Sequence, residues 1–228
     1  GAEPAKQPIT VPPGKGVVVF GITDLAAKLG SVSKVLITVD EANIHSEGAG
    51  WVTVPLEQQT FDLLKLKQEG SIALLGNISL DPGTYDMLRL SISGASVTDA
   101  NGTQQAKLPS NELKISAAIE VTAGAVSTAV FDFILDKSLH ITGNNKYILA
   151  PVLQVETKSK VDIELTADKK VKASGGVSSA AVEVGMDVNG KVAPGLKVSP
   201  DVNLLIGDDG KIKIAAQTKA QEPGKESA

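Results

Sequence analysis

The chain has 228 residues and a mass of 23.5 kDa, enough for one large β domain or a domain with a smaller companion, and enough to bury a core without a staple. It carries 22 Lys plus Arg against 26 Asp plus Glu, with Arg89 the only arginine, so a basic nucleic-acid footprint is absent. Zero Cys excludes disulfides, thiol catalysis and cysteine-ligated metals, and aromatics at 3% leave the core to Val, Ile, Leu and Ala, which favours β-structure.

Residues 1–15 contain four prolines, at positions 4, 8, 12 and 13, and are expected to form an extended tether. Gly1 in place of an initiator Met fits a removed upstream signal, with or without a lipid-bearing cysteine; an ordinary frayed terminus is the alternative. No apolar run long enough to span a bilayer occurs. Residues 16–22, GVVVFGI, form a short β-branched run bounded by glycine, the pattern of a strand buried on both faces or at a sheet centre. Asp24 is placed to cap one helical turn over residues 26–29 that Gly30 ends. Residues 34–40 then alternate, with Val35, Ile37 and Val39 on one face. The alternation slips near residues 42–44, as a bulge would cause, and SEGAG at 46–50 supplies a hairpin turn into residues 51–54.

Two short apolar runs follow, at 60–67 and 71–80, separated by Gly70, and Asp81-Pro82-Gly83 closes the second. Residues 84–93 read as a strand with Leu88, Leu90 and Ile92 on one face and Tyr85, Met87 and Arg89 on the other. Asn101-Gly102 is a hairpin signal, and further strands are expected near 113–121, 126–135 and 147–156. Turns every eight to twelve residues set the rhythm of an antiparallel sandwich. No aromatic residue follows Tyr147, yet residues 182–188 and 211–214 alternate cleanly beside Asn189-Gly190 and Asp209-Gly210. Four segments result: a leader (1–15), an all-β antiparallel sandwich (16–157), a small aromatic-free β region expected to pack on it or on a partner (158–216), and a tail expected to be disordered (217–228).

The stretches GITDL (21–25), WVTV (51–54), FDLLKL (61–66), ALLG (73–76), PGTYDMLRL (82–90), LPSNELKI (108–115), FDFILDKSL (131–139) and YILAPVL (147–153) stand in one order. Over residues 17–156 they make the chain resemble an uncharacterised prokaryotic domain family of predicted secreted proteins and surface lipoproteins. The resemblance implies a Greek-key sandwich like that of transthyretin or carboxypeptidase regulatory domains, located outside the cytoplasm. It implies no catalytic residue.

Chemistry-bearing patterns are sparse. The only histidines are His45 and His140, and no G-x-S-x-G elbow accompanies them, so a hydrolase is the weakest of three readings. Asp40, Glu41 and Glu47 flank His45, and Asp208-Asp209-Gly210 and residues 98–102 are oxygen-rich, but no full calcium-loop spacing appears. Neither GKG at 14–16 nor PGKES at 223–227 is a phosphate loop, and no cofactor motif is present. Arg89 lies mid-strand, and Asp62 and Asp132 each lie in an apolar stretch; an inter-strand ion pair is expected to explain all three, with an Arg89 clamp on an anionic ligand as the alternative. The expectation is a non-enzymatic secreted or cell-surface module that meets a protein, a glycan or a copy of itself through loops or sheet edges. A calcium- or anion-binding protein is second. Contact with a membrane is expected only through a removed lipid anchor.

Overall fold

The computed structural model describes residues 6–25 and 29–215. The first residues of the expected leader, most of the turn expected at 26–29 and the expected tail lie outside the described residues.

The chain opens with β1 (Lys6–Gln7) and β2 (Gly16–Thr23), followed by a hairpin of β3 (Lys34–Ser46) and β4 (Gly50–Thr53) turned at SEGAG. The apolar run at 60–67 divides into β5 (Thr60–Asp62) and α1 (Leu63–Glu69). Asp62 Oδ1 accepts the Lys65 amide hydrogen as N-cap, and Gly70, at φ 60°, stops the helix in the left-handed region that glycine adopts freely. β6 (Ile72–Leu80), β7 (Gly83–Asp99) and β8 (Gly102–Lys107) are joined by the Asp81-Pro82 and Asn101-Gly102 turns, and β9 (Glu112–Val121) returns along β7. Then come β10 (Val126–Phe133), α2 (Leu135–Ser138), β11 (Leu139–Ile141), β12 (Tyr147–Leu149) and β13 (Val152–Ser159). The last third adds β14 (Asp162–Thr166), β15 (Lys170–Ser174), β16 (Val177–Met186), β17 (Val192–Pro194) and the hairpin of β18 (Leu204–Ile206) and β19 (Ile212–Ile214).

These strands form an all-β sandwich. One sheet has nine strands in the order β1-β14-β15-β6-β2-β10-β13-β16-β17; the other has eight, in the order β11-β12-β8-β7-β3-β4 with β5 on β3 and β9 on β7; β18 and β19 pair only with each other. β9 is the seam between them: it packs on β10, β13 and β16, and its carbonyls at Glu120 and Ala118 accept the hydroxyls of Ser127 and Thr157 at 2.5 and 2.6 Å. Pairing is antiparallel except at β2–β10 and β8–β12, which run parallel. A parallel pair needs a long crossover, and most of the second sheet lies in the chain between β2 and β10.

Every residue of β2 is buried. Val18, Phe20 and Ile22 face the core between the sheets, where Ile37, Ile44, Leu88, Leu90, Phe131 and Phe133 meet them. Val17 and Val19 face the other way, into a second cluster with Leu74 and Val171 that Ile9, Val11, Ile163 and Leu165 cover. An aliphatic outer face gains by being covered, so residues 9–11 rest on the sheet instead of hanging free from it. The aromatic-free region likewise joins the body: β14 to β17 extend the nine-stranded sheet, and Val184, Met186, Val198 and Leu204 enter the common core.

Candidate functional site

A one-residue slip in β3 builds the site. Val35, Ile37 and Val39 point into the core, but the register with β7 shifts around Val39 and Glu41, and beyond it Ala42 and Ile44 point inward. Because side chains alternate with period two, one extra residue at Asp40 turns Glu41, Asn43 and His45 to the outer face. The irregularity predicted at residues 42–44 thus falls just before them. A second shift between Tyr85 and Met87 sends Tyr85 into the core, correcting its expected place beside Met87 and Arg89.

Two rows of outer-face residues follow from the pairing. Thr53, Asn43, Arg89 and Lys114 stand in register across β4, β3, β7 and β9, and Trp51, His45, Met87 and Ser116 form the next row. Trp51 and Lys114 therefore start three strand spacings apart, about 14 Å across the sheet, and one row apart along it. Their side chains nevertheless meet: the Arg89 guanidinium carbon lies 4.5 Å from the Trp51 ring centroid and Lys114 Nζ lies 5.8 Å from it. Asn43, in register between Thr53 and Arg89, is only 2% exposed. Asn43 Oδ1 accepts from Arg89 Nε at 3.0 Å, and Asn43 Nδ2 donates to Glu41 Oε1 and Thr53 Oγ1, both at 3.1 Å. His45 stacks at a tilt on Trp51, with centroids 5.0 Å apart, and its Nδ1 lies 2.6 Å from Asp86 Oδ1.

The chain's only tryptophan and only arginine are thus laid on each other at a partly exposed sheet face. Among the described residues, the ion pairs within 4.0 Å involve neither Arg89 nor Lys114. Beside Lys114 a groove of about 470 Å³ runs along Ser110, Glu112 and Ser116 to Gly190 and Val192. A separate cleft of about 710 Å³ at the end of the sandwich is lined by Glu47, Asp81, Thr84 and Asp86, so its field disfavours anions.

The expected ion pair among Arg89, Asp62 and Asp132 is not formed. Asp62 sits on β5 opposite Leu36, far along β3 from the Asn43–Arg89 pair, and its carboxylate caps α1. Asp132 belongs to the other sheet, where its Oδ1 accepts the Leu25 amide hydrogen at 3.2 Å and burial pushes its carboxyl above the usual range. Arg89 satisfies itself on an amide and an indole instead.

Neither histidine is hydrogen-bonded to a serine or threonine hydroxyl among the described residues. His140 is partly buried with Nε2 unpartnered, and that burial pushes its imidazole below its ordinary pKa. No group of three or more His, Asp or Glu among the described residues is arranged to hold a metal ion. The turn carboxylates serve the turns: Asp99 Oδ1 accepts from the Asn101 amide and Asp209 Oδ1 from the Lys211 amide.

Trp51, Asn43, Lys114 and Asp86 were not singled out in the sequence. Trp51 and Asn43 were within reach of it, because a hairpin turned at 46–50 places residue 51 opposite 45 and residue 53 opposite 43.

The architecture is that of a two-sheet β protein with an aromatic and cationic outer face. Residues 15–151 match the model of a domain of unknown function, DUF4382, and the chain belongs to that family. No curated protein and no solved structure matches it. No helix among the described residues is long and apolar enough to cross a membrane.

Proposed function

We propose that this protein is a non-enzymatic binding module acting through the outer face around Trp51, placed at the cell surface or secreted. One observation carries the reading: the Arg89 guanidinium lies over the Trp51 ring, with Lys114 beside it, at a partly exposed face where neither cation has a carboxylate within 4.0 Å among the described residues. Large aromatic groups concentrate at recognition surfaces because they offer much contact area with few rotors to immobilise, and arginine joins them through its planar, multidentate fork. The prolines of residues 1–15 and the family resemblance to secreted and surface-lipoprotein domains support the location. Among the described residues β14 to β19 each have a partner within the chain, and β17, β18 and β19 each keep one unpaired edge.

The test is an array of purified glycans and proteins probed with the wild-type chain and with Trp51→Ala. Ligands retained by the first and lost by the second support the reading. Binding that Trp51→Ala leaves intact, or turnover of ester or glycoside substrates that depends on His45, overturns it.

A further inference from the structure

We propose that the Trp51 face takes an acidic glycan, a pyranose bearing a carboxylate, with the sugar's C–H face on the indole and the carboxylate between Arg89 and Lys114; this ligand class rests on the binding-face reading above. Arg89 and Lys114 are register partners on neighbouring strands, and like charges directly opposite destabilise a sheet pair. The chain is acidic overall, at -4, so two adjacent cations with no carboxylate within 4.0 Å among the described residues are not a general excess of base. An anion seated between them relieves the repulsion. Arg89 commits Nε to Asn43, which fixes the guanidinium in place and leaves its remaining N–H donors for a planar acceptor.

The position of the row selects a sugar over an acidic peptide. Arg89 stands on β7, which has ladders on both sides, and a peptide added to the open edge of β4 or β9 would lie beside the row and not across its face. A pyranose needs only an aromatic platform, a charge clamp and a few hydroxyl partners. Ser91 supplies a hydroxyl in the adjoining row, Glu41 and Glu112 there accept from sugar hydroxyls and by like-charge repulsion hold the sugar's carboxylate on the Arg89–Lys114 side, and the groove past Lys114 along Ser110, Glu112 and Ser116 gives further sugar units a path.

Trp51 is the sole tryptophan, so tryptophan emission, excited selectively over the two tyrosines, reports on this site alone. The whole chain is titrated with trigalacturonate, with neutral galactotriose and with polyglutamate. The expected result is a saturable Trp51 emission change with trigalacturonate, weakened by salt and about tenfold weaker in Arg89→Gln and in Lys114→Gln. Near-ultraviolet circular dichroism identifies any variant that fails to fold, and Lys114→Gln, exposed and outside the Asn43 network, keeps the test decisive if Arg89→Gln does not. No response to trigalacturonate at millimolar concentration overturns the proposal. An equal response to galactotriose or polyglutamate also overturns the ligand class while leaving the binding face standing. Silence of all three together with unchanged array binding in Trp51→Ala removes both.

Discussion

Tyr147 donates its phenolic hydrogen to Asp99 Oδ2 across 2.6 Å, tying β12 to the end of β7. The bond holds the tyrosine's proton, pushing its pKa up to about 12, and holds Asp99 below the usual carboxylate range. The tyrosine contribution is complete below its ordinary value of 10.0 and is lost as pH rises towards about 12. The Asp99 contribution is present above 3.8 and is lost as pH falls through its lowered folded value. Tyr147→Phe is therefore expected to lower the melting temperature at pH 7, with the gap from wild type closing above pH 10; thermal melts across that range measure it. A gap independent of pH would show that the bond contributes nothing.

Asp132 has the opposite sign. Burial raises its folded pKa, so its contribution is complete below 3.8 and is lost as pH rises through the folded value. Asp132→Asn keeps an acceptor for the Leu25 amide and removes the charge. It is expected to be more stable than wild type at pH 7 and equal to it near pH 3, by denaturant midpoints at the two pH values. A less stable variant at pH 7 would contradict this assignment.

Arg89 supports Asn43 from outside the core. In Arg89→Leu the Asn43 side-chain carbonyl, 2% exposed, loses its donor, at a cost of about 1–3 kcal/mol. Asn43→Ala in the Arg89→Leu background should cost less than Asn43→Ala alone, because the pair is already broken. Strict additivity in chemical denaturation would mean the two residues are energetically separate.

Gly185 marks a close approach of backbones. A methyl added there would lie 1.8 Å from the Leu196 carbonyl oxygen and 3.1 Å from the Val152 side chain. Gly185→Ala should destabilise by about 2–3 kcal/mol as β16 is pushed from the 195–196 turn. Gly94→Ala, with nothing within 4 Å of the new methyl, should stay within about 0.5 kcal/mol of wild type. Equal effects at the two positions would mean the 195–196 turn does not pack as described.

Much of this fold can be read from alternation and turns. GVVVFGI gives β2 its burial on both faces, SEGAG and Asn101-Gly102 give two hairpins, and Asp209-Gly210 gives the last. Local chemistry also explains why the run at 60–67 is part helix: Asp62 and Gly70 are a matched pair of caps around Leu63 and Leu66. The rest depends on register. Tyr85 changes faces because of a shift against β9 that no local pattern announces. Arg89 finds Trp51 and not Asp62 or Asp132 because the partner is chosen by which strands lie side by side. Legible residues and illegible neighbours are the usual division when contacts are set across a sheet.

The family match ends at residue 151, one position before β13 begins. β13 nonetheless lies along the whole inner half of β10 and brings Leu153 and Val155 into the centre of the molecule. A polypeptide cut at that boundary would carry β10 with a raw hydrogen-bonding margin and a slot where two aliphatic side chains belong, an invitation to aggregate. The stretch that recurs among relatives is therefore shorter than the stretch that must be synthesised before this molecule can hold its shape.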